Sequence, residues 1–281
     1  MSQSLVNAQY VIDEDLRRQI EQEVEKLITE TDEPVDSLFS EKQQRLLTGT
    51  LYSSWTPPAS EEQPETPRPF IAAANVGIFY GLNRPPLVPD MFLSLDVQIA
   101  EDWYAKNHRS YFVWEFGKVP EVVIEIVSNR EGNELGSKLR DYAQIGVSYY
   151  VVYDPLQRLS KDELRVYELA AGKRYRLRDN RTMPDIGLGL TLWTGIFEAK
   201  EATWLRWCDA RGQVIPTGEE RAAREAEARL QAEARLQAEA EARLQAEARL
   251  QAEATARRQA EAELEQLRKE LARLRPPTAE E

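Results

Sequence analysis

Two carboxylates and an amine, Asp90, Glu125 and Lys138, hold the chemistry most readily legible in this chain. Glu125 stands inside an unbroken β-branched run, Val122, Val123, Ile124, then Ile126 and Val127, and such a run forms a strand. Desolvating a carboxylate there costs several kcal/mol unless a cation or a set of donors compensates. An Arg or Lys partner would meet that cost, and so would a metal ion. Alternation along the strand puts Glu121, Val123, Glu125 and Val127 on one face. Glu121, at the strand entrance, is expected to reach water. Asp90 follows Pro89 and precedes the apolar run from Met91, where the backbone can aim a carboxylate at a strand end. Pro-Asp is also an ordinary turn pair. On adjacent strands the two acids would form an oxygen site of the kind Mg²⁺ (or Mn²⁺) accepts, completed by water and a substrate phosphate.

Positioning these groups requires a strand–helix–strand unit. After the Glu125 strand, residues 134–145 read as a helix closed by Gly146, and "SYYVVYD" (148–154) as the next strand. That order predicts a parallel crossover and therefore a mixed sheet with flanking helices. Further strands are expected in "FIAAANVGIFYGL", "MFLSLDVQI" and "SYFVWEF", and at 163–169, 174–178, 188–193 and 203–208. Upstream, residues 10–30 have helical apolar spacing. A second helix is expected over 40–53, with Ser40 as N-cap. The Pro-rich, acidic stretch 56–69 reads as an exposed loop. Three regions follow: a helical region with its loop at 1–69, an α/β core at 70–217, and a repetitive tail at 218–281.

The tail repeats "ARLQAEARLQAEA" with a fourteen-residue period, built from strong helix formers with Arg and Glu at i,i+4 spacing. Fourteen is two heptads, but Arg243 and Arg257 interrupt the phase shared by Leu236, Leu250, Leu264 and Leu271. A solvated single helix and self-association through 264–274 both remain open, with Pro276 and Pro277 ending the helix.

Composition narrows the classes. The net charge is −12, and residues 1–218 hold 33 acidic against 24 basic side chains. A general nucleic-acid coat is excluded on that ground, because such binding rests on Lys and Arg. Only Arg68 and Arg84 stand near the presumed site. One cysteine and one histidine exclude a disulfide and a Cys/His zinc cluster. The start carries no signal-peptide pattern and no stretch is long enough to span a membrane, so a cytoplasmic protein is expected.

The spaced matches "PD" at 89–90, "VIEIVS" at 123–128, Lys138 with Tyr142, and "GVSYYVVYDP" at 146–155 resemble the Uma2 family. That family belongs to the PD-(D/E)xK restriction-endonuclease-like superfamily. The resemblance spans roughly residues 70–195. It implies a central mixed sheet flanked by helices, Mg²⁺-dependent hydrolysis of DNA phosphodiesters, and a bacterial, often cyanobacterial, source. Asp90 matches the PD aspartate and Glu125 the acid of the E-x-K element. The lysine of that element falls at Val127; family members commonly carry it on the following helix, where Lys138 stands. Lys138 would then orient the attacking water or stabilise the oxyanion. Tyr142 would orient Lys138 or serve the core, and Ser128 is a helper or a turn residue. The superfamily often adds an acid from the helix before the sheet, for which Glu41 is the nearest candidate. A competing reading keeps the fold without catalysis, as a binding or assembly module working through its tail, with homo-oligomerisation or a partner helix as the outcome.

Overall fold

The computed structural model describes residues 14–29, 37–59, 66–128 and 134–274, with side chains to 271. The chain divides into two compact units, 1–219 and 220–281. The first is built on a six-stranded mixed sheet in the order β1 (Phe70–Ala73), β3 (Met91–Leu95), β5 (Val122–Ile126), β6 (Tyr149–Tyr153), β7 (Leu164–Ala170), β8 (Arg174–Leu177). Within this sheet, among the described residues, only β5 and β6 run parallel, as the crossover through α4 (Ser137–Ile145) requires; its other pairs are antiparallel.

Every residue of β3, β5 and β6 is buried, because both faces of the sheet are covered. Met91, Leu93, Val122, Ile124, Ile126 and Val151 pack one face against Leu47 and Leu51 of α2 (Leu38–Ser54), and against Leu190, Leu205 and Trp207. These last come from a smaller antiparallel sheet of β9 (Thr182–Met183), β10 (Leu188–Phe197) and β11 (Lys200–Asp209). On the other face, Phe92, Val123, Tyr150 and Val152 pack against Tyr142 and Leu139 of α4. The period-2 alternation expected of these strands is thus divided between two cores.

Several expected elements moved. Helix α2 is capped by Ser37, whose Oγ accepts the Ser40 amide at 3.2 Å, while Ser40 itself is buried inside the helix. "SYFVWEF" is strand only at β4 (Tyr111–Phe112), paired in parallel with β2 (Ile78–Phe79). The chain then makes one helical turn, α3 (Val113–Phe116), ended by Gly117 at φ 72°. That turn brings Phe116 back onto Tyr111, ring centroids 4.4 Å apart, so packing overrides the local β preference. Helix α4 begins at Ser137, residues 134–136 forming a turn, and Gly146 ends it at φ 99° as expected. Strands β10 and β11 extend beyond their predicted bounds to form a ten-residue hairpin. In the first helix, α1 covers Glu14–Val24; positions 10–13 of that expectation, residues 60–65 of the Pro-rich loop, and Pro276 and Pro277 lie outside the described residues.

In the second unit the repeat forms helix α5, Gly218–Leu274. Its leucines, from Leu230 to Leu271, are 55–69 % exposed. Arg229–Glu233, Arg243–Glu239 and Arg257–Glu261 pair one turn apart. Among the described residues no helix is long and apolar enough to cross a membrane.

Candidate active site

Antiparallel pairing sets Met91 opposite Ile124 and Phe92 opposite Val123, and one more step in that register places Asp90 opposite Glu125. The register therefore sets the two residues across from each other where β3 begins and β5 approaches its end. Asp90 is held from both sides. Its Oδ2 accepts the Ile126 amide at 2.6 Å, and its Oδ1 accepts Nε2 of Gln44 at 3.0 Å. Gln44 is in turn fixed by Asn75, whose Nδ2 donates to Gln44 Oε1 at 2.9 Å.

Glu125 is 1 % exposed. Lys138 Nζ donates to its Oε2 at 2.8 Å, and the Tyr142 hydroxyl donates to its Oε1 at 2.9 Å. Lys138 and Tyr142 are four residues apart on α4, hence on one helix face, and α4 packs on the side of β5 that carries Val123 and Glu125. A lysine at position 127 would replace a core valine 2 % exposed; delivered from the crossover helix instead, the ammonium reaches the same carboxylate. Burial pushes the Glu125 carboxyl upward, and the Lys138 charge opposes that push. Burial works equally against the Lys138 charge, yet Glu125, Asp90 and Glu134 attract the ammonium strongly enough to hold it above its ordinary value. Burial, followed by the Glu125 charge, raises the Tyr142 hydroxyl well above the usual phenol range.

Other expectations fare differently. Glu41 points to the outer face of α2, ion-paired with Arg45 at 2.8 Å, so the structure does not bring it to the acids. The α2 residue that reaches Asp90 is Gln44, which sequence reasoning missed. The signal was present: residues 44, 47 and 51 share one helix face, so the Gln lies in line with Leu47 and Leu51. Glu121 is not simply solvated, since it pairs with Lys118 and accepts the Leu95 amide at 2.9 Å. Arg68 is committed to Asp96, just past the far end of β3 from Asp90, at 2.6 Å. Among the described residues Ser128 shares no hydrogen bond with either acid and instead lines a cavity with Ser37, Ser40 and Arg158. A second overlooked residue is the acid Glu134, in the turn before α4. It is 5 % exposed, and its Oε2 has no hydrogen-bond partner among the described residues.

The donor set suits a hard divalent cation. Asp90 and Glu125 supply the carboxylate oxygens, in opposed register, while Glu134 lies in the same electrostatic neighbourhood without being one of the ligands. Among the described residues no three Asp, Glu, His or Cys side chains converge at ligating distance. The fit is therefore to an ion such as Mg²⁺, which takes one or two carboxylates and fills its octahedron with water and phosphate oxygens. Close by, Phe92, two residues past Asp90, lines a cavity of about 450 Å³ with Trp103, Tyr104, Arg109, Tyr111 and Phe116.

A mixed sheet covered on both faces, with opposed acids on adjacent strands and a lysine delivered from the crossover helix, defines a restriction-endonuclease-like core. Comparison with known proteins agrees. The profile of the Uma2 family, described as "Putative restriction endonuclease", matches residues 31–192. That is more than half of the chain, and the protein belongs to this family. The match covers α2, the whole six-stranded sheet and α4, and ends within β10. No curated protein matches the chain.

Proposed function

We propose that the protein is a divalent-cation-dependent endonuclease that hydrolyses DNA phosphodiesters, with Asp90 and Glu125 holding the cation and Lys138 acting beside it. The observation that carries this reading is the buried Glu125 with its two donors, Lys138 and Tyr142, set opposite a second held carboxylate, Asp90. When bound, a Mg²⁺ ion would neutralise charge on the scissile phosphate and acidify a coordinated water. The chain's own residues supply the rest. Gln44 and the Ile126 amide keep Asp90 from rotating, which matters because small displacements at a reacting centre are costly in rate. Lys138 places a positive donor where charge grows on the phosphate oxygens. The rings of Trp103 and Tyr104, 55 % and 74 % exposed, offer a stacking surface for an unpaired base, a contact that tolerates any sequence.

The test is incubation of the purified protein with supercoiled plasmid and single-stranded DNA in Mg²⁺ and in Mn²⁺, beside Glu125→Gln. Cleavage by the wild type and none by the variant is the expected result, with Trp103→Ala raising KM on single strands while leaving kcat. Equal cleavage by wild type and Glu125→Gln would refute the assignment. The second reading, an inactive core working through its tail, draws on the exposed leucines of α5, which lies outside the family match. It predicts no divalent-cation binding that depends on Glu125.

A further inference from the structure

The site contains one acid that the reading above does not use. Glu134 is buried, its Oε2 has no donor among the described residues, and its place is fixed: the Tyr150 hydroxyl donates to the Glu134 carbonyl at 2.9 Å. Tyr150 belongs to β6, the strand beside Glu125, so the turn carrying Glu134 is fastened to the sheet next to the site. A desolvated carboxylate oxygen without a donor is unfavourable, and a cation that reaches it would relieve that cost. A candidate partner is Lys138, four residues on and within electrostatic range of Glu134.

Lys138 needs a second partner. In this structure its ammonium sits 2.8 Å from Glu125 Oε2, on the carboxylate that a divalent cation would claim. Two cations on one carboxylate repel each other, most strongly where water is scarce. The lysine stem is flexible and the side chain is 33 % exposed, so it can swing while a planar, forked guanidinium would be harder to relocate. We propose that Glu134 is the alternative seat of the Lys138 ammonium: when a divalent cation occupies Asp90 and Glu125, Lys138 leaves Glu125 and pairs with Glu134. This rests on the metal-site reading given above. Glu134 is then a positioning residue. It touches neither metal nor substrate, and it keeps the ammonium in the site during the exchange instead of releasing it to solvent.

Mn²⁺ binding to the full-length protein, followed by calorimetry, tests this as a cycle of wild type, Glu134→Gln, Lys138→Met and the double variant. Glu134→Gln should weaken Mn²⁺ binding by about tenfold or more, the range for residues that orient a ligand set from outside it. In the Lys138→Met background the same substitution should change affinity by less than about twofold, since Glu134 acts on the ion only through Lys138 and the two changes are therefore coupled. An equal loss in both backgrounds, or none in either, overturns the proposal. Asp90→Asn and Glu125→Gln, measured alongside, separate the two failures. Wild-type binding that these variants abolish, without coupling between Glu134 and Lys138, defeats this inference alone; no Mn²⁺ binding by wild type defeats the metal-site reading with it. A second measurement needs no variant beyond assignment. In ¹⁵N-lysine-labelled protein the Lys138 ammonium resonance should shift on Mg²⁺ saturation and remain slowly exchanging. An unmoved resonance, or its loss to rapid solvent exchange, also overturns the proposal.

Discussion

Removing the Lys138 ammonium should destabilise the protein in metal-free buffer, and divalent cation should restore what is lost. Breaking one side of a buried ion pair costs about 3–5 kcal/mol, because the remaining charge is left uncompensated. Two features reduce that here: Lys138 is 33 % exposed, so water reaches the vacated position, and the Tyr142 hydroxyl stays on Glu125 Oε1. A loss of about 2–3 kcal/mol for Lys138→Met follows. With a urea slope of roughly 2–3 kcal/mol/M for a unit of this size, the midpoint should fall by about 1 M. All six tryptophans, from Trp55 to Trp207, lie in the first unit, so their fluorescence follows its unfolding without interference from the tail. Mg²⁺ at about a hundred times its Kd adds about 2.7 kcal/mol to the folded state. The gain should be larger in Lys138→Met than in wild type, where the ion must first displace the ammonium. The pH dependence has a definite sign. Burial raises the Glu125 carboxyl above its ordinary value of 4.5, so its favourable contribution is complete below that value and is lost as pH rises through the folded-state value. The Lys138→Met deficit should therefore shrink on acidification. A urea midpoint within about 0.2 M of wild type, or equal Mg²⁺ stabilisation of the two proteins, would refute the reasoning.

Gln43 should behave as a structural clamp: its amide donates to the Leu205 carbonyl at 2.8 Å and accepts the Leu205 amide at 2.9 Å, closing the free edge of β11. Gln43→Leu leaves both backbone groups without a partner and should cost about 2–4 kcal/mol in urea unfolding, with the proposed divalent-cation binding per folded molecule unchanged. Tyr111 is pushed up to about 12 by burial, so its contribution to stability is complete below pH 10 and falls as pH rises from there to about 12. Its tyrosinate absorbance should emerge together with unfolding; ionisation in the native protein near pH 10 would contradict its burial. The tail should show helicity that falls between about 0.05 and 1 M salt, as screened i,i+4 pairs do, and does not depend on protein concentration. Concentration dependence would show instead that its leucines self-associate.

Most of what positions the site is legible in sequence, because hydrophobic periodicity and the special backbone of Gly146 dictate it. The run around Glu125, the αL position of Gly146 and the strand "YYVVY" specify the crossover without reference to anything distant. Glu125 is legible for the opposite reason: a charge inside an apolar run violates the local pattern, and such violations are expected at functional sites. Lys138 shows no such violation. It is one lysine on an amphipathic helix, and only resemblance to a family singled it out. Gln44 and Glu134 stayed hidden because their roles depend on tertiary placement. Gln44 matters through a strand 46 residues away, and Glu134 through its burial beneath a turn. The misread stretch 111–116 has the same cause, since the contact that bends it, Phe116 on Tyr111, is a packing event that propensity does not encode.

The choice of an amide at position 44 is consistent with the charge the site must carry. By formal charge the three acids and one lysine of the proposed site sum to about −2, the complement of one divalent cation. A carboxylate at position 44 would add a third net negative charge beside Asp90, raising the cost of the metal-free fold. It would also lose the donor that now fixes Asp90 Oδ1. A glutamine keeps the reach of that side chain, supplies the donor, and leaves the balance near a single ion. On the reading proposed above, the buried acids and the lysine would be parts of one device: tolerable without metal because Lys138 pairs with Glu125, and able to accept metal because Glu134 would give that lysine somewhere to go.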